Sequence, residues 1–193
     1  MLEISNSSSS NSNIEIEVDD QNGNRVLDTT INLPPKGTQH FVLDSFLPNS
    51  LGVARVTDTS GAEIIVNVMQ YGRNATLGLN NFYALSGREA LGTVMQGSYN
   101  TFLDQGCSLL LGNLSSNPEN VTLDATRFDG TQILLGNVVT VPAQGVLEFD
   151  LCSLDVPNVF GVIRVQPTTP NSIVANVVRL GFNDNYRVAT PVR

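Results

Sequence analysis

The sequence has no tryptophan and only one lysine, Lys36, among its 193 residues. Its basic residues number 10 against 18 acidic ones, which gives a net charge of −8. Nucleic acids and anionic membrane surfaces are bound by clustered lysine and arginine, so this composition excludes both as partners. No stretch approaches the roughly 18 consecutive apolar residues of a membrane-spanning helix, so we expect no membrane insertion.

Side chains that carry chemistry are also scarce. His40 is the only histidine, so a Ser-His-Asp or Cys-His mechanism would have to use it. Two cysteines and one distant histidine lack the paired spacing of zinc ligands. The segment DDQNGN (Asp19–Asn24) is rich in oxygen atoms but lacks the downstream glutamate of a calcium loop. Paired carboxylates can hydrolyse glycosides without histidine, but here they fall in predicted turns or on outward strand positions. We therefore expect no enzyme and no cofactor.

Asparagine, serine, threonine and glycine are abundant, which indicates an uncharged, hydrogen-bonding exterior typical of secreted and surface proteins. The first ten residues, MLEISNSSSS, have neither the basic nor the apolar region of a signal peptide. We expect an extracellular or cell-surface protein whose leader is not present in this chain.

The chain contains a tandem repeat. The segment GVARV (Gly52–Val56) returns as GVIRV (Gly161–Val165), at an offset of 109 residues. Near the start of the chain the offset is 107, and it drifts only in turns, where insertions are tolerated. Further matched pairs are Leu2 and Leu109, Asn6 and Asn113, Gly23 and Gly130, Pro34 and Pro142, and Phe41 and Phe149.

Each copy consists of short strands. Ile14–Val18 and Val121–Ala125 alternate apolar and polar residues, which predicts half-buried strands. Asn22-Gly23 and Asp129-Gly130 follow them, and these pairs predict two-residue type I′ hairpins. About seven strands per copy, at spacings of 8 to 12 residues and without helical periodicity, predict an all-β fold. The pattern favours two tandem immunoglobulin-like antiparallel β-sandwiches.

The repeat also sets the expected domain bounds. The first sandwich is predicted over residues 1–88 and the second over residues 107–193. Residues 89–106 are too apolar for a flexible linker. They are expected to form an ordered connector or a leading strand of the second sandwich.

The two cysteines both fall in the second copy. Cys107 begins its first predicted strand, and Cys152 lies near a corner between strands. A disulfide between them would stabilise the fold by roughly 3–4 kcal/mol through the unfolded chain, and it would imply an oxidising compartment. The alternative is a pair of buried free thiols.

The repeated arginines, Arg55 and Arg164, are expected to point away from the core. The residues directly before and after each arginine belong to the face of the strand that lies in the core, and successive side chains of a strand point to opposite faces. One interpretation is a solvated arginine beside an acidic residue on the next strand. The other is a recurrent contact at a junction between modules or on a ligand surface.

A later strand in each copy is apolar on both faces. Its second face carries Ile65, Asn67 and Met69 in the first copy and Val174, Asn176 and Val178 in the second. A strand with one wet face should alternate more cleanly. This face is therefore either covered within the chain or an interaction face that meets another module or subunit.

The pattern N…S…(alternating strand)…DG…VPAQG…F…GVIRV resembles tandem immunoglobulin-like or fibronectin-like β-sandwich modules of bacterial extracellular and cell-surface proteins. The resemblance implies a non-enzymatic structural or interaction protein, such as a spacer, an adhesion module or an assembly module, with protein partners or self-assembly. The alternative is an accessory module that binds carbohydrate. Lack of tryptophan weakens that alternative, since sugar platforms favour exposed aromatic side chains, although four tyrosines remain: Tyr71, Tyr83, Tyr99 and Tyr186. A carboxylate-dependent hydrolase is a third hypothesis.

Overall fold

The computed structural model describes residues 1–74, 78–87, 92–181 and 186–193. Within these ranges the chain is built of β-strands and three short 3-10 turns, at Leu43–Ser45, Phe102–Asp104 and Cys152–Leu154. The predicted all-β fold is confirmed. No helix in this part of the chain has the length needed to cross a bilayer.

Fifteen strands are assigned in the described ranges. They are β1 (Leu2–Asn6), β2 (Ser12–Asp20), β3 (Arg25–Leu33), β4 (Thr38–Phe41), β5 (Gly52–Asp58), β6 (Ile64–Asn74), β7 (Gly78–Ser86), β8 (Met95–Asn100), β9 (Gly106–Asn113), β10 (Glu119–Arg127), β11 (Gln132–Val141), β12 (Val146–Asp150), β13 (Phe160–Pro167), β14 (Ile173–Gly181) and β15 (Tyr186–Pro191).

The strands form four antiparallel sheets, and their order repeats. The first half, β1–β7, has the sheets β4-β1-β6-β7 and β3-β2-β5. The second half, β8–β15, has the sheets β12-β9-β14-β15 and β11-β10-β13-β8. Each strand from β1 to β7 therefore has a counterpart eight strands later. Among the described residues, β8 is without a counterpart in the first half.

Each half has its own hydrophobic core, made by the alternation that the sequence shows. In β2 the side chains of Ile14, Ile16 and Val18 are buried and those between them face outward. They pack against Leu2 and Ile4 of β1. The second core is built in the same way from β9, β10, β13 and β14, with further side chains from β8.

The hairpin after β2, like its counterpart after β10, differs from the predicted turn. Gly23 and Gly130 have φ of +87° and +86°, whereas Asn22 and Asp129 stay outside the positive-φ region. The amide of Gly23 donates to the carbonyl of Asp20 over 3.0 Å. Each loop therefore has three residues and ends in a left-handed glycine, so the type I′ prediction is wrong. Register shifts at the ends of β2 and β10 absorb the extra residue.

A buried asparagine fixes the start of each half. The side-chain amide of Asn113 donates to the carbonyls of Asn117, Val141 and Pro142, over 2.8, 3.3 and 3.0 Å. Asn6 makes the corresponding bonds in the first half. These bonds join β1 or β9 to the end of β3 or β11, and they explain why this residue recurs in the repeat.

Part of the predicted connector is a strand. Residues 95–100 form β8, which pairs with β13 along the edge of the second half. The predicted boundary between residues 88 and 89 lies outside the described residues.

Candidate functional site

The two halves contact each other along β7 and β15, and also through a hairpin loop and a turn. The carbonyl of Gln21, in the β2–β3 loop, accepts a hydrogen bond of 3.1 Å from the amide of Val146, the first residue of β12 after the β11–β12 turn. A Cβ atom on Gly23 would lie 1.9 Å from the carbonyl oxygen of Ala143. A Cβ atom on Gly145 would lie 2.5 Å from the carbonyl oxygen of Gln21. Glycine on both sides therefore allows the two backbones to approach this closely.

A valine extends this contact. Val53 faces away from the core of its own half, yet only 6% of its surface is exposed. A Cβ atom on Gly112 of β9 would lie 3.3 Å from Cγ2 of Val53 and 3.1 Å from Cγ2 of Val174. Val53 therefore lies over Gly112 beside Val174. We call the β2–β3 loop with Val53 the tip surface, and the β11–β12 turn with Gly112 and Val174 the receiving surface.

The second half carries a tip surface of its own, and that surface is exposed. Phe128 takes the place of Gln21 and is 62% exposed, while Val162 takes the place of Val53 and is 46% exposed. The β10–β11 loop ends in Gly130, at which an added Cβ would meet nothing within 4 Å. The element that is docked in the first half is thus uncovered in the second.

The first half likewise carries a receiving surface. Ile65 takes the place of Val174 and is 52% exposed. In the β3–β4 turn, Lys36 takes the place of Gln144, and both residues have a left-handed φ, of 59° and 56°. The backbone of the two turns is therefore alike. This second receiving surface consists of Ser5, the turn Pro34–Gly37 and Ile65.

The exposed tip surface is enlarged by two further phenylalanines. The rings of Phe128 and Phe160 stack with centroids 4.8 Å apart, and the ring of Phe102 lies 6.2 Å from that of Phe160. Phe102 and Phe160 are 40% and 47% exposed. Clustered aromatic side chains of this kind are enriched where proteins meet one another.

Arg55 lies in β5 directly opposite Glu17 of β2. Its Nε donates to Glu17 over 3.0 Å and its Nη2 donates to Asp19, whose side chain is fully buried. Arg25 binds the same two carboxylates from β3. The hydrogen bond from Arg55, aided by that from Arg25, lowers the pKa of Glu17 below its usual value.

Arg164 repeats this pairing in the second half. It lies opposite Asp124 of β10, and its Nη1 donates to that carboxylate over 3.0 Å. Its side chain is 39% exposed. In both halves the repeated arginine thus neutralises a carboxylate at the same position of the neighbouring strand.

The other residues of the predicted interaction face lie on β6 and β14, one set in each half. The amide of Asn67 donates to Glu3 over 3.4 Å, and Met69 is half-buried. In β14, Asn176 is half-buried and Val178 is 5% exposed. The predicted residues therefore form two separate surfaces, of which the β14 surface is in part covered by Val53.

The predicted disulfide is present. Cys107 of β9 is bonded to Cys152 in the third 3-10 turn, with Cα atoms 5.0 Å apart. It links a central strand to the connection that leads into β13. The alternative of two buried free thiols is thereby excluded.

A buried carboxylate organises one end of β8. Asp155 has no exposed side-chain surface, and it accepts hydrogen bonds of 2.7 Å from both Tyr99 Oη and Arg127 Nε. Burial raises the pKa of Asp155, but these two bonds outweigh that effect and hold it below the usual value. Burial, with the bond to Asp155, raises the pKa of Tyr99 far above its usual value.

Tyr99 is therefore a core residue and presents no face to a sugar. The side chains of the other three tyrosines named above, Tyr71, Tyr83 and Tyr186, lie outside the described residues.

The residues considered for catalysis and metal binding make contacts with their neighbours. The Nε2 atom of His40 lies 2.8 Å from Glu3, and the ring is half exposed. Asp20, in the oxygen-rich loop, accepts hydrogen bonds from the amides of Asn22 and Asn24 over 2.8 and 2.9 Å. In the described ranges, no group of three or more His, Cys, Asp or Glu residues is arranged to hold a metal ion.

Sequence reasoning missed the phenylalanines and both tip surfaces. One signal was present, since Phe128 is a large apolar side chain inside the turn RFDGT. Comparison of the chain with protein-family models, curated proteins and solved structures found no match.

Proposed function

We propose that this protein is a non-enzymatic extracellular structural protein whose copies join head to tail. The observation that carries the proposal is the pairing of surfaces in the two halves. One tip surface and one receiving surface are joined within the chain, and the corresponding second pair is exposed, with Phe128 and Ile65 at their centres.

The proposed architecture is two immunoglobulin-like sandwiches in series, residues 1–88 and 107–193, joined by residues 89–106. The repeated strand order supports it. The disulfide between Cys107 and Cys152 supports an extracellular location, because disulfides persist in oxidising compartments.

Repetition between copies of the part of the internal contact that joins tip surface to receiving surface would give an open assembly, whereas β7 and β15 already contact each other within the chain. The tip surface and the receiving surface are different patches, so their contact is heterologous. In a heterologous assembly one surface of each kind stays free at the two ends. Further copies therefore add until a ring closes, or the assembly grows as a filament. This property suits a spacer or an assembly module.

Two details set the expected strength of the contact between copies. Ser5 takes the place of Gly112, so Val162 meets a side chain where Val53 meets none. Against this, the receiving surface carries Lys36 and the tip surface carries Asp129, whose charges are opposite. We expect weaker association between copies than between the halves, measurable at high protein concentration.

Sedimentation velocity over a concentration series tests the proposal. The protein should form dimers and longer species as its concentration rises. Ile65→Asp and Phe128→Ser should each shift the series to monomer, because each destroys one of the two surfaces. Phe46→Ser is the matched control, since Phe46 is 41% exposed but lies on neither surface. It should associate like the unchanged protein.

A mixture of the Ile65→Asp and Phe128→Ser variants gives the most stringent test. Each keeps the surface that the other has lost, so an equimolar mixture should form a dimer and stop there. A chain that stays monomeric at every concentration contradicts the proposal. So does a mixture without a dimer, or dimers formed by either variant alone.

A further inference from the structure

As far as the structure describes the chain, the first half has an open sheet edge at the place where the second half is closed. In the sheet β3-β2-β5, β5 is the outer strand, whereas its counterpart β13 lies between β10 and β8. Met95 of β8 lies opposite Val165, Gln96 opposite Arg164 and Gly97 opposite Ile163. By the repeat, Val56, Arg55 and Ala54 are the residues of β5 at these positions.

The backbone of β5 offers hydrogen-bonding groups along this edge. The amide of Thr59 donates to the carbonyl of Asn13 over 2.8 Å, which fixes the phase of the ladder between β5 and β2. Hydrogen-bonded and non-bonded pairs alternate in an antiparallel ladder. Arg55 and Thr57 therefore bond β2, while the N–H and C=O groups of Ala54 and Val56 face away from it.

The burial of equivalent core residues differs between the half that has β8 and the half in which no such strand is described. Ile163 and Val165 are fully buried, and β8 covers them with Met95, which is 2% exposed. Their counterparts Ala54 and Val56 are only half-buried, although both face the first core. The first core is thus less covered along β5 than the second core is along β13.

The gap is confined to one end of β5. In the second half, a Cβ atom on Gly161 would lie 2.6 Å from the ring of Tyr99. In the first half, a Cβ atom on Gly52 would lie 2.7 Å from Cδ1 of Leu47. Leu47 therefore replaces Tyr99. Because Val53 also contacts the second half, the open part of the edge runs from Ala54 to Asp58.

Arg55 adds a polar requirement. Its Nη1 is buried and has no hydrogen-bond partner in the described part of the chain. A residue at the place of Gln96 would lie directly opposite Arg55, within the distance at which side chains of neighbouring strands interact. An amide or carboxylate there can accept a hydrogen bond from the guanidinium.

We propose that the β5 edge binds an extended segment of another polypeptide as an added antiparallel strand. Main-chain bonds to Ala54 and Val56 hold the segment, as in other cases of strand addition. A large apolar side chain opposite Val56 covers the core, an amide or carboxylate lies opposite Arg55, and a small residue lies opposite Ala54. The segment thus has the pattern Met-Gln-Gly that β8 presents to β13. This site is independent of the tip and receiving surfaces.

The probe is the peptide GTVMQGS, which has the sequence of residues 92–98, titrated into the isotope-labelled full chain. Saturable amide shifts should appear at Ala54 and Val56, and a peptide with Met95→Asp should bind at least tenfold more weakly. In the protein, Ala54→Pro removes an N–H that faces the open edge and should abolish binding. Thr57→Ala, on the same strand, should not.

Four outcomes would overturn the proposal. The first is a spectrum without shifts at millimolar peptide. The second is equal binding of the peptide with Met95→Asp. The third is shifts confined to Ile163 and Val165, which would show that the peptide displaces β8. The spectrum of the Ala54→Pro variant shows whether that variant is folded. If it is folded and still binds the peptide, the proposal is also contradicted.

Discussion

At the scale of single residues, buried charge is matched by named partners in both halves. Asp19 is fully buried between Arg25 and Arg55, and Asp155 is held by Arg127 and Tyr99. A buried carboxylate without partners would be costly, so these pairs prevent a penalty more than they add stability. The carboxylate partners explain why the arginine is repeated, and Nη1 of Arg55 remains for the segment proposed above.

The Asp155 site predicts a pH dependence of stability. Its pKa in the folded chain lies below the usual value of 3.8, so the unfolded chain takes up its proton first as the pH falls. The stabilisation is complete above pH 3.8 and is lost as the pH drops through the lower, folded-state pKa. Urea unfolding should therefore show the free energy of unfolding falling below about pH 4.

Asp155→Asn should make this dependence shallower but not abolish it, because the pKa of Glu17 is also lowered. It should cost about 2 kcal/mol at neutral pH, the usual worth of hydrogen bonds to a charged group. Tyr99→Phe removes one of the two donors and should give an intermediate slope. A variant with Asp155→Asn that keeps the full acid slope would show that other groups control it.

At the scale of elements, the disulfide closes a long segment that contains β10, β11 and β12. The two cysteines are 45 residues apart. Reduction should lower the free energy of unfolding by about 4 kcal/mol, since a loop of this length regains conformational entropy when the bond is cut. Thermal unfolding of the full chain with and without reductant measures this loss of stability. An unchanged midpoint would mean that the bond contributes nothing beyond the packing around it.

Much of the element order could be predicted from the sequence. Alternation in Ile14–Val18 and Val121–Ala125 indicates β2 and β10, because a strand with one buried face places apolar side chains at every second residue. The repeat indicates that later strands recur in the same order. The loop type was not predictable from Asn22-Gly23 alone, since the same pair fits two loops that differ by one residue.

The candidate surfaces were harder to predict, because they depend on which residues meet across the halves. Ile65 and Val174 occupy equivalent positions and have similar chemistry, yet one is exposed and the other lies beside Val53. The pattern along each strand is the same in both cases. Only the placement of the halves distinguishes them, and no local pattern in the sequence encodes it.

At the scale of the whole molecule, the contact between the halves predicts different effects of the same substitution at two glycines. Gly23 and Gly130 have nearly the same positive φ, so Gly→Ala at either should cost about 1 kcal/mol in backbone strain. At Gly23 alone the new methyl group would also meet the carbonyl of Ala143. We expect Gly23→Ala to cost more than Gly130→Ala in chemical denaturation, and to loosen the halves. Equal costs would contradict the internal contact.

The central claim is that one building plan occurs twice and that β8 closes its edge only in the second half. Native-state hydrogen exchange tests this most directly, because it compares the same backbone positions in two settings. The amides of Ile163 and Val165, which face β8, should exchange at the slow rates of the core, and those of Ala54 and Val56 should exchange faster by orders of magnitude. Equal protection at the two edges would contradict the account.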